Sequence, residues 1–262
     1  MRSVQDTGAD SQNLQGGKDL LGGYDGSARD RFRETVSQPV TKVSALIRLL
    51  TENRFLILLI FLFLLIIVGP HLSDERSGRI VQATLVSLVL LGAMDCLRYK
   101  KGVMLGTRWF GLFTLVSGWI PIFAVHPFLV AAVNAFRIGF FLVVTGALIY
   151  QIATSLKVTL PLVIGAIDAY VMLGIIGALA FGIAEALIPG SVHFPAGVSA
   201  STDFVYFAFI TMLTIGYGDI TPASTTAQTI AIFLGVAGQL YIAILVSMLV
   251  GKFLASHQKE PS

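Results

Sequence analysis

Apolar residues fall along this chain in long unbroken runs separated by short polar connections, with none of the strict alternation that marks a half-buried strand. A helix needs about 20 apolar residues to cross a bilayer. Six runs meet or approach that length: Phe55–Gly69, extended by Leu49 and Leu50, then Ile80–Leu97, Val103–Val125, Phe128–Ile152, Leu160–Ile188 and Thr225–Leu254. Between the fifth and sixth, residues 189–224 hold one more apolar stretch, Phe204–Leu213, which is too short to span. It predicts a re-entrant half-helix, a form tolerated at membrane depth only where protein buries it. The pattern therefore predicts an all-α membrane protein with six transmembrane helices and a re-entrant helix and loop between the last two.

Composition agrees and excludes a soluble fold. The 262 residues are 55% hydrophobic and 13% charged, against about 25% charge in soluble domains, and the mean hydropathy is +0.81. Residues 1–40, rich in Gly, Asp, Gln and Ser, predict a disordered cytoplasmic tail rather than a folded regulatory domain. They lack the basic-then-apolar pattern of a signal peptide, so insertion falls to the first apolar run. Residues 41–53 predict an interfacial helix or an extension of the first span. The remaining divisions are a four-helix transmembrane domain over 41–157, a second unit over 158–255, and a short cytoplasmic tail over 256–262. Arg98, Lys100, Lys101, Arg108, Lys157, Lys252 and Lys259 fall on one side of this topology, while Arg76 and Arg79 on the other are offset by Asp74 and Glu75. That asymmetry places both termini in the cytoplasm of a multi-pass cell-membrane protein. Cys96 is the one cysteine, so no intrachain disulfide forms, and His71, His126, His193 and His257 are too scattered for a metal site.

One short stretch organises the rest. Thr214-Ile215-Gly216-Tyr217-Gly218-Asp219 sits between two apolar segments, and its pattern arises by chance in roughly one chain in ten thousand of this length. It resembles the Thr-Val-Gly-Tyr-Gly selectivity filter of potassium channels. That resemblance implies a K⁺-binding filter at Thr214, Ile215, Gly216, Tyr217 and Gly218. The ligands would be the backbone carbonyls of Thr214 to Tyr217 and the Thr214 hydroxyl. Tyr217 would point away from the ion and brace the strand against aromatic neighbours, and Asp219 would lie at the outer mouth. Ser201-Thr202-Asp203 signals the start of the short helix, which carries Tyr206, Phe207 and Thr211 and aims the negative end of its dipole at the filter.

The likeness is to six-span bacterial potassium channels with a voltage-gated-like pore, and it is specific over about residues 160–254. Glu185 matches a family glutamate that anchors the outer mouth by hydrogen bonding, or else is an exposed interfacial acid. Gly238, 20 residues after Gly218, matches the inner-helix hinge; close helix packing is the alternative, with Gly235 a second candidate for it. Gln239 is placed toward the cavity, and Ile242, Val246 and Val250 share one face where rings of them would gate by dewetting. Three positions depart from the family. Tyr206 and Phe207 replace a tryptophan pair, and Ile210 stands where some members carry a glutamate that engages the outer aspartate.

The fourth span holds one arginine, Arg137, where voltage-gated relatives carry a ladder. One charge supplies about 2.3 kcal/mol per 100 mV, too little for steep voltage gating. A buried Arg137–Asp168 pair is expected, with Asp95 the other candidate partner. Function is thus read as passive, K⁺-selective conduction by a homotetramer in a lipid bilayer, with weak or no voltage dependence. No enzyme activity, cofactor other than permeant K⁺, nucleic-acid partner or soluble regulatory domain is expected. The rival readings are a non-selective monovalent cation channel, and a transporter or membrane signalling subunit with a vestigial pore.

Overall fold

The computed structural model describes residues 53–71, 76–96, 101–123, 126–155, 159–195 and 200–257. The expected tail over 1–40, the interfacial helix before Asn53, and the expected tail over 256–262 from residue 258 on lie outside them; Ser256 and His257 instead continue the last helix. Among the described residues the helices are α1 (Arg54–Val68), α2 (Arg76–Cys96), α3 (Lys101–Ser117), α4 (Pro127–Thr154), α5 (Leu160–Leu187), α6 (Ala200–Met212) and α7 (Thr225–His257). Two two-residue strands, β1 (Val192–His193) and β2 (Thr221–Pro222), pair antiparallel, with Val192 opposite Pro222 and His193 opposite Thr221.

Four helices, α2, α4, α5 and α7, are long and apolar enough to cross a membrane, and the chain is a multi-pass membrane protein. The expected first and third spans fall short of that length among the described residues. The described part of α1 has 15 residues and α3 has 17, or about 22 and 26 Å, short of a hydrocarbon core of about 30 Å. The expected third span, Val103–Val125, is cut at Ser117. Gly118 follows, and Pro121 lies in a 3₁₀ turn over Ile120–Ile122, because proline has no N–H for the helix ladder and its ring clashes one turn back. Trp119 therefore sits beyond the helix, where its indole N–H donates to Ser87 Oγ at 3.2 Å. Pro127 and Pro161 instead open α4 and α5, where the missing donor has no cost.

Two apolar cores divide the unit. Leu58 and Leu62 of α1, Val89 and Leu90 of α2, Phe140, Phe141, Val144 and Leu148 of α4, and Ala169 and Met172 of α5 form one. The other joins Phe181 of α5 and Val192 with Phe207, Ala208, Ile210 and Met212 of α6 and Leu234 of α7. The central helix α5 belongs to both. Small residues let its neighbours approach, as in other membrane bundles. A Cβ at Gly174 would meet the Phe209 ring of α6 at 2.6 Å, and one at Gly177 would run into Leu234 of α7.

Candidate functional site

The short helix α6 ends where the motif begins. Its side chains are described from Asp203, which lies in the first turn and whose carboxyl is raised by burial; the expected caps at Ser201 and Thr202 lie outside the described side chains. Phe207 is buried against Phe181 of α5, with ring centroids 4.5 Å apart, and Ile210 is buried too. At the other end the chain folds back under the helix. The Leu213 N–H donates to Phe209 O at 2.9 Å, and the Thr214 N–H to Thr211 O at 3.1 Å. Ile215 and Gly216 both donate to Ile210 O, at 2.9 and 3.2 Å. The carbonyl groups that a helix C-terminus leaves unpaired thus hold the first half of the motif.

Beyond that anchor the backbone alternates. Thr214, Gly216 and Gly218 have φ of +58°, +53° and +81°, while Ile215 and Tyr217 between them do not. Glycine enters this region freely, but a β-branched threonine does so only under constraint. Thr214 is held there by its backbone bond to Thr211 and by its own hydroxyl, which donates to Leu213 O at 2.7 Å. Residues 213–219 are all exposed in the single chain. Tyr217 is 72% exposed, so the expected bracing against aromatic neighbours is not made within one chain.

The segment after the motif is tied down on two sides. The Tyr206 hydroxyl of α6 donates to Asp219 Oδ2 at 2.7 Å. That bond holds the Asp219 carboxyl below the usual carboxylate range, and the same bond, with some burial and the carboxylate charge, pushes the Tyr206 phenol up to about 12. On the other side the turn after α5 closes on itself. The Glu185 carboxylate accepts from the Gly190 N–H at 2.8 Å and the Val192 N–H at 3.0 Å. The buried Ser191 hydroxyl donates to Ile188 O and Ala184 O, and its carbonyl accepts from the Ala223 and Ser224 N–H groups at 2.8 and 3.1 Å. Through β1 and β2 this turn grips the two residues before α7, which Ser224 caps through its Oγ to the Ala227 N–H at 3.1 Å. Neither the Tyr206–Asp219 bond nor the role of Ser191 is legible in the sequence, because each joins residues across a loop without a local signature.

Below the motif, Gly238 lies against α6. A Cβ there would meet Met212 Cγ at 2.5 Å and Met212 O at 2.9 Å, whereas one at Gly235 would meet nothing within 4 Å. Close packing is therefore a property of Gly238, not of Gly235. Gln239, Ile242, Val246 and Val250 are exposed on α7 in the single chain, and Thr211 is half-buried behind the motif.

The expected Arg137–Asp168 pair is not formed. Arg137 donates to Asn134 Oδ1 and to Gly118 O, both at 3.2 Å. Asp168 is fully buried, and neither carboxylate oxygen has a hydrogen-bond partner. Depth explains the miss. Counted from the turn joining α4 to α5, Arg137 is 17 residues up one helix and Asp168 eight up the other, a difference of about 14 Å at 1.5 Å per residue. Gly118 makes the alternative contact feasible, since a Cβ there would meet the Arg137 guanidinium at 2.9 Å.

Residues 171–255, from α5 through α7, match a family described as ion channel. The two pore potassium channel c of Oryza sativa subsp. japonica is 36% identical over 91 residues, which are 34% of this chain and 20% of that protein. The chain thus spans about a fifth of the length of that curated relative. No solved structure matches.

Proposed function

We propose that this chain is one subunit of a homotetrameric channel that conducts K⁺ passively across the cell membrane through the backbone carbonyls of Thr214 to Tyr217. The observation that carries the reading is the alternation of left-handed φ at Thr214, Gly216 and Gly218 with ordinary φ between them. Such alternation turns successive carbonyls to one side of the strand, the arrangement with which four loops replace the water shell of a K⁺ ion. The C-terminus of α6 behind it carries about half a negative charge, and four such ends stabilise a cation at the same point. The matches of residues 171–255 to an ion-channel family, and of the chain to a potassium channel, support the same reading.

What one chain leaves uncovered supports assembly. Within the chain, 56% of the α5 span is buried but only 11% of α7, and the exposed apolar side chains of α7 include Ile232, Phe233, Val236 and Leu240. Together with the exposed Tyr217, this face is built to be covered by further copies around one axis. In the tetramer Asp219 and the Glu185 turn form the outer mouth, and Ile242, Val246 and Val250 line the cytoplasmic end of the pore. One arginine at Arg137, held by Asn134 and Gly118, carries too little gating charge for steep voltage dependence. The deciding experiment is K⁺ flux from proteoliposomes with and without Ba²⁺. Ba²⁺-sensitive K⁺ flux that strongly exceeds Na⁺ flux is expected. Equal Na⁺ flux would make the pore non-selective, and no flux from well-assembled protein would overturn the reading.

A further inference from the structure

The far end of α7 is fastened to α4 by one side chain. Lys252 donates to Ile152 O, to Ala153 O at 3.1 Å and to Ser155 O at 2.7 Å. These carbonyls belong to the last turn and cap of α4, where Ser155 leaves the helix with φ −68° and ψ 133°. A helix end leaves its final carbonyls without partners inside the helix, and a cation there also meets the negative end of the dipole. Lys252 thus supplies donors to the last carbonyls of α4, beyond the one that the Ser155 N–H gives to Gln151 O. Above this contact the α4–α7 seam is loose. An apolar cavity of about 110 Å³ opens there, lined by Ile149 and Ile152 of α4 and Tyr241, Ile244, Leu245 and Met248 of α7.

We propose that Lys252 is a strut that holds the far end of α7 out against α4 and so keeps the pore open. The inference rests on the channel reading above. On α7 the side chains that meet α4, Tyr241, Leu245, Met248 and Lys252, lie on a different face from the exposed Ile242, Val246 and Val250, so α4 lies away from the face that lines the proposed pore. A contact that draws the end of α7 toward α4 therefore draws it away from the axis. Lys252 is 11 residues beyond Tyr241, a lever of about 16 Å. Beyond Tyr241, whose hydroxyl donates to Ala166 O of α5 and whose ring lies against Tyr170, the cavity thins the apolar contact between α7 and α4. Released, four ends bearing Val246 and Val250, each about half exposed in the single chain, converge into an apolar constriction that dewets.

The test is single-channel recording of the full-length protein in planar bilayers, comparing wild type with Lys252→Met and Lys252→Arg. Lys252→Met is expected to lower open probability at least tenfold, because one charge-assisted hydrogen bond alone carries about that weight on a two-state equilibrium and the tetramer loses four such contacts. Unitary conductance, K⁺ over Na⁺ preference and Ba²⁺ block should stay unchanged, which shows that the filter is folded. Lys252→Arg, which keeps a cationic donor, should stay near wild type. If Lys252→Met does not assemble, Lys252→Gln with its single donor group carries the same test, with an open probability below that of Lys252→Arg. Unchanged or higher open probability in conducting Lys252→Met, or in Lys252→Gln where that variant replaces it, overturns the strut. Absence of K⁺ current in wild type would instead overturn the channel reading.

Discussion

Gly238 offers a direct test of how α7 serves the pore. Replacing it with alanine places a methyl 2.5 Å from Met212 Cγ and 2.9 Å from Met212 O. The side-chain carbon can turn aside, but the carbonyl belongs to the fully buried end of α6, two residues before Thr214. Restoring an ordinary contact of about 3.5 Å requires a backbone shift of roughly half an ångström. Overpacking of this kind costs about 1–3 kcal/mol, while alanine gains about 1 kcal/mol over glycine in a helix. Gly235→Ala has the same propensity gain and meets nothing within 4 Å, so the difference between the two variants isolates the clash. Gly238→Ala should be less stable than Gly235→Ala by about 1–3 kcal/mol per subunit. Thermal unfolding in detergent reads this as several degrees, at about 2–4 °C per kcal/mol. K⁺ over Na⁺ preference should fall in the same variant, because the displaced carbonyl leads into the motif. If Gly238→Ala matches Gly235→Ala in both stability and ion preference, with only opening altered, the packing argument is wrong and the residue acts as a hinge.

Other variants probe the remaining contacts. Tyr206→Phe removes the donor to Asp219, and sustained K⁺ flux is expected to run down faster than in wild type; unchanged time courses would show that the bond does not hold the outer strand. Its pH dependence has a definite sign. Asp219 is depressed, so the link persists above the ordinary carboxylate pKa of about 3.9 and is lost only as pH falls below it. Tyr206 keeps its proton until about pH 12. Flux stability should therefore be flat from about pH 5 to 9, with the acid run-down beginning at higher pH in Tyr206→Phe. Glu185→Ala strands the N–H groups of Gly190 and Val192 and should cost about 1–3 kcal/mol in thermal unfolding, with Glu185→Gln intermediate. Gly118→Ala drives a methyl toward the Arg137 guanidinium and should lower folded yield, whereas Asp168→Asn should leave the Arg137 contacts intact; equal losses in the two would revive the pairing with Asp168.

Much of this protein is written in linear patterns that physics reads locally. Unbroken apolar runs can only be helices in a bilayer, because lipid offers no partner for a free backbone group, and prolines at 127 and 161 mark helix starts for the same local reason. The glycines at 216 and 218 already mark backbone free to turn left-handed, whereas Thr214 takes the same φ under its bonds to Thr211 and Leu213. Local patterns mislead where a breaker sits inside an apolar run, as Pro121 does, and where a lone charge in one span is assigned a partner in the next, as Arg137 is with Asp168. Depth along a helix depends on where the turn between the helices falls, and partner choice depends on which faces meet. Only the tertiary structure decided that Arg137 bonds to Gly118 and Asn134, that Tyr206 reaches Asp219, that Gly238 rather than Gly235 lies against Met212, and that Lys252 fastens α7 to α4. Each joins groups whose approach is set by the packing of whole helices rather than by any neighbouring residue.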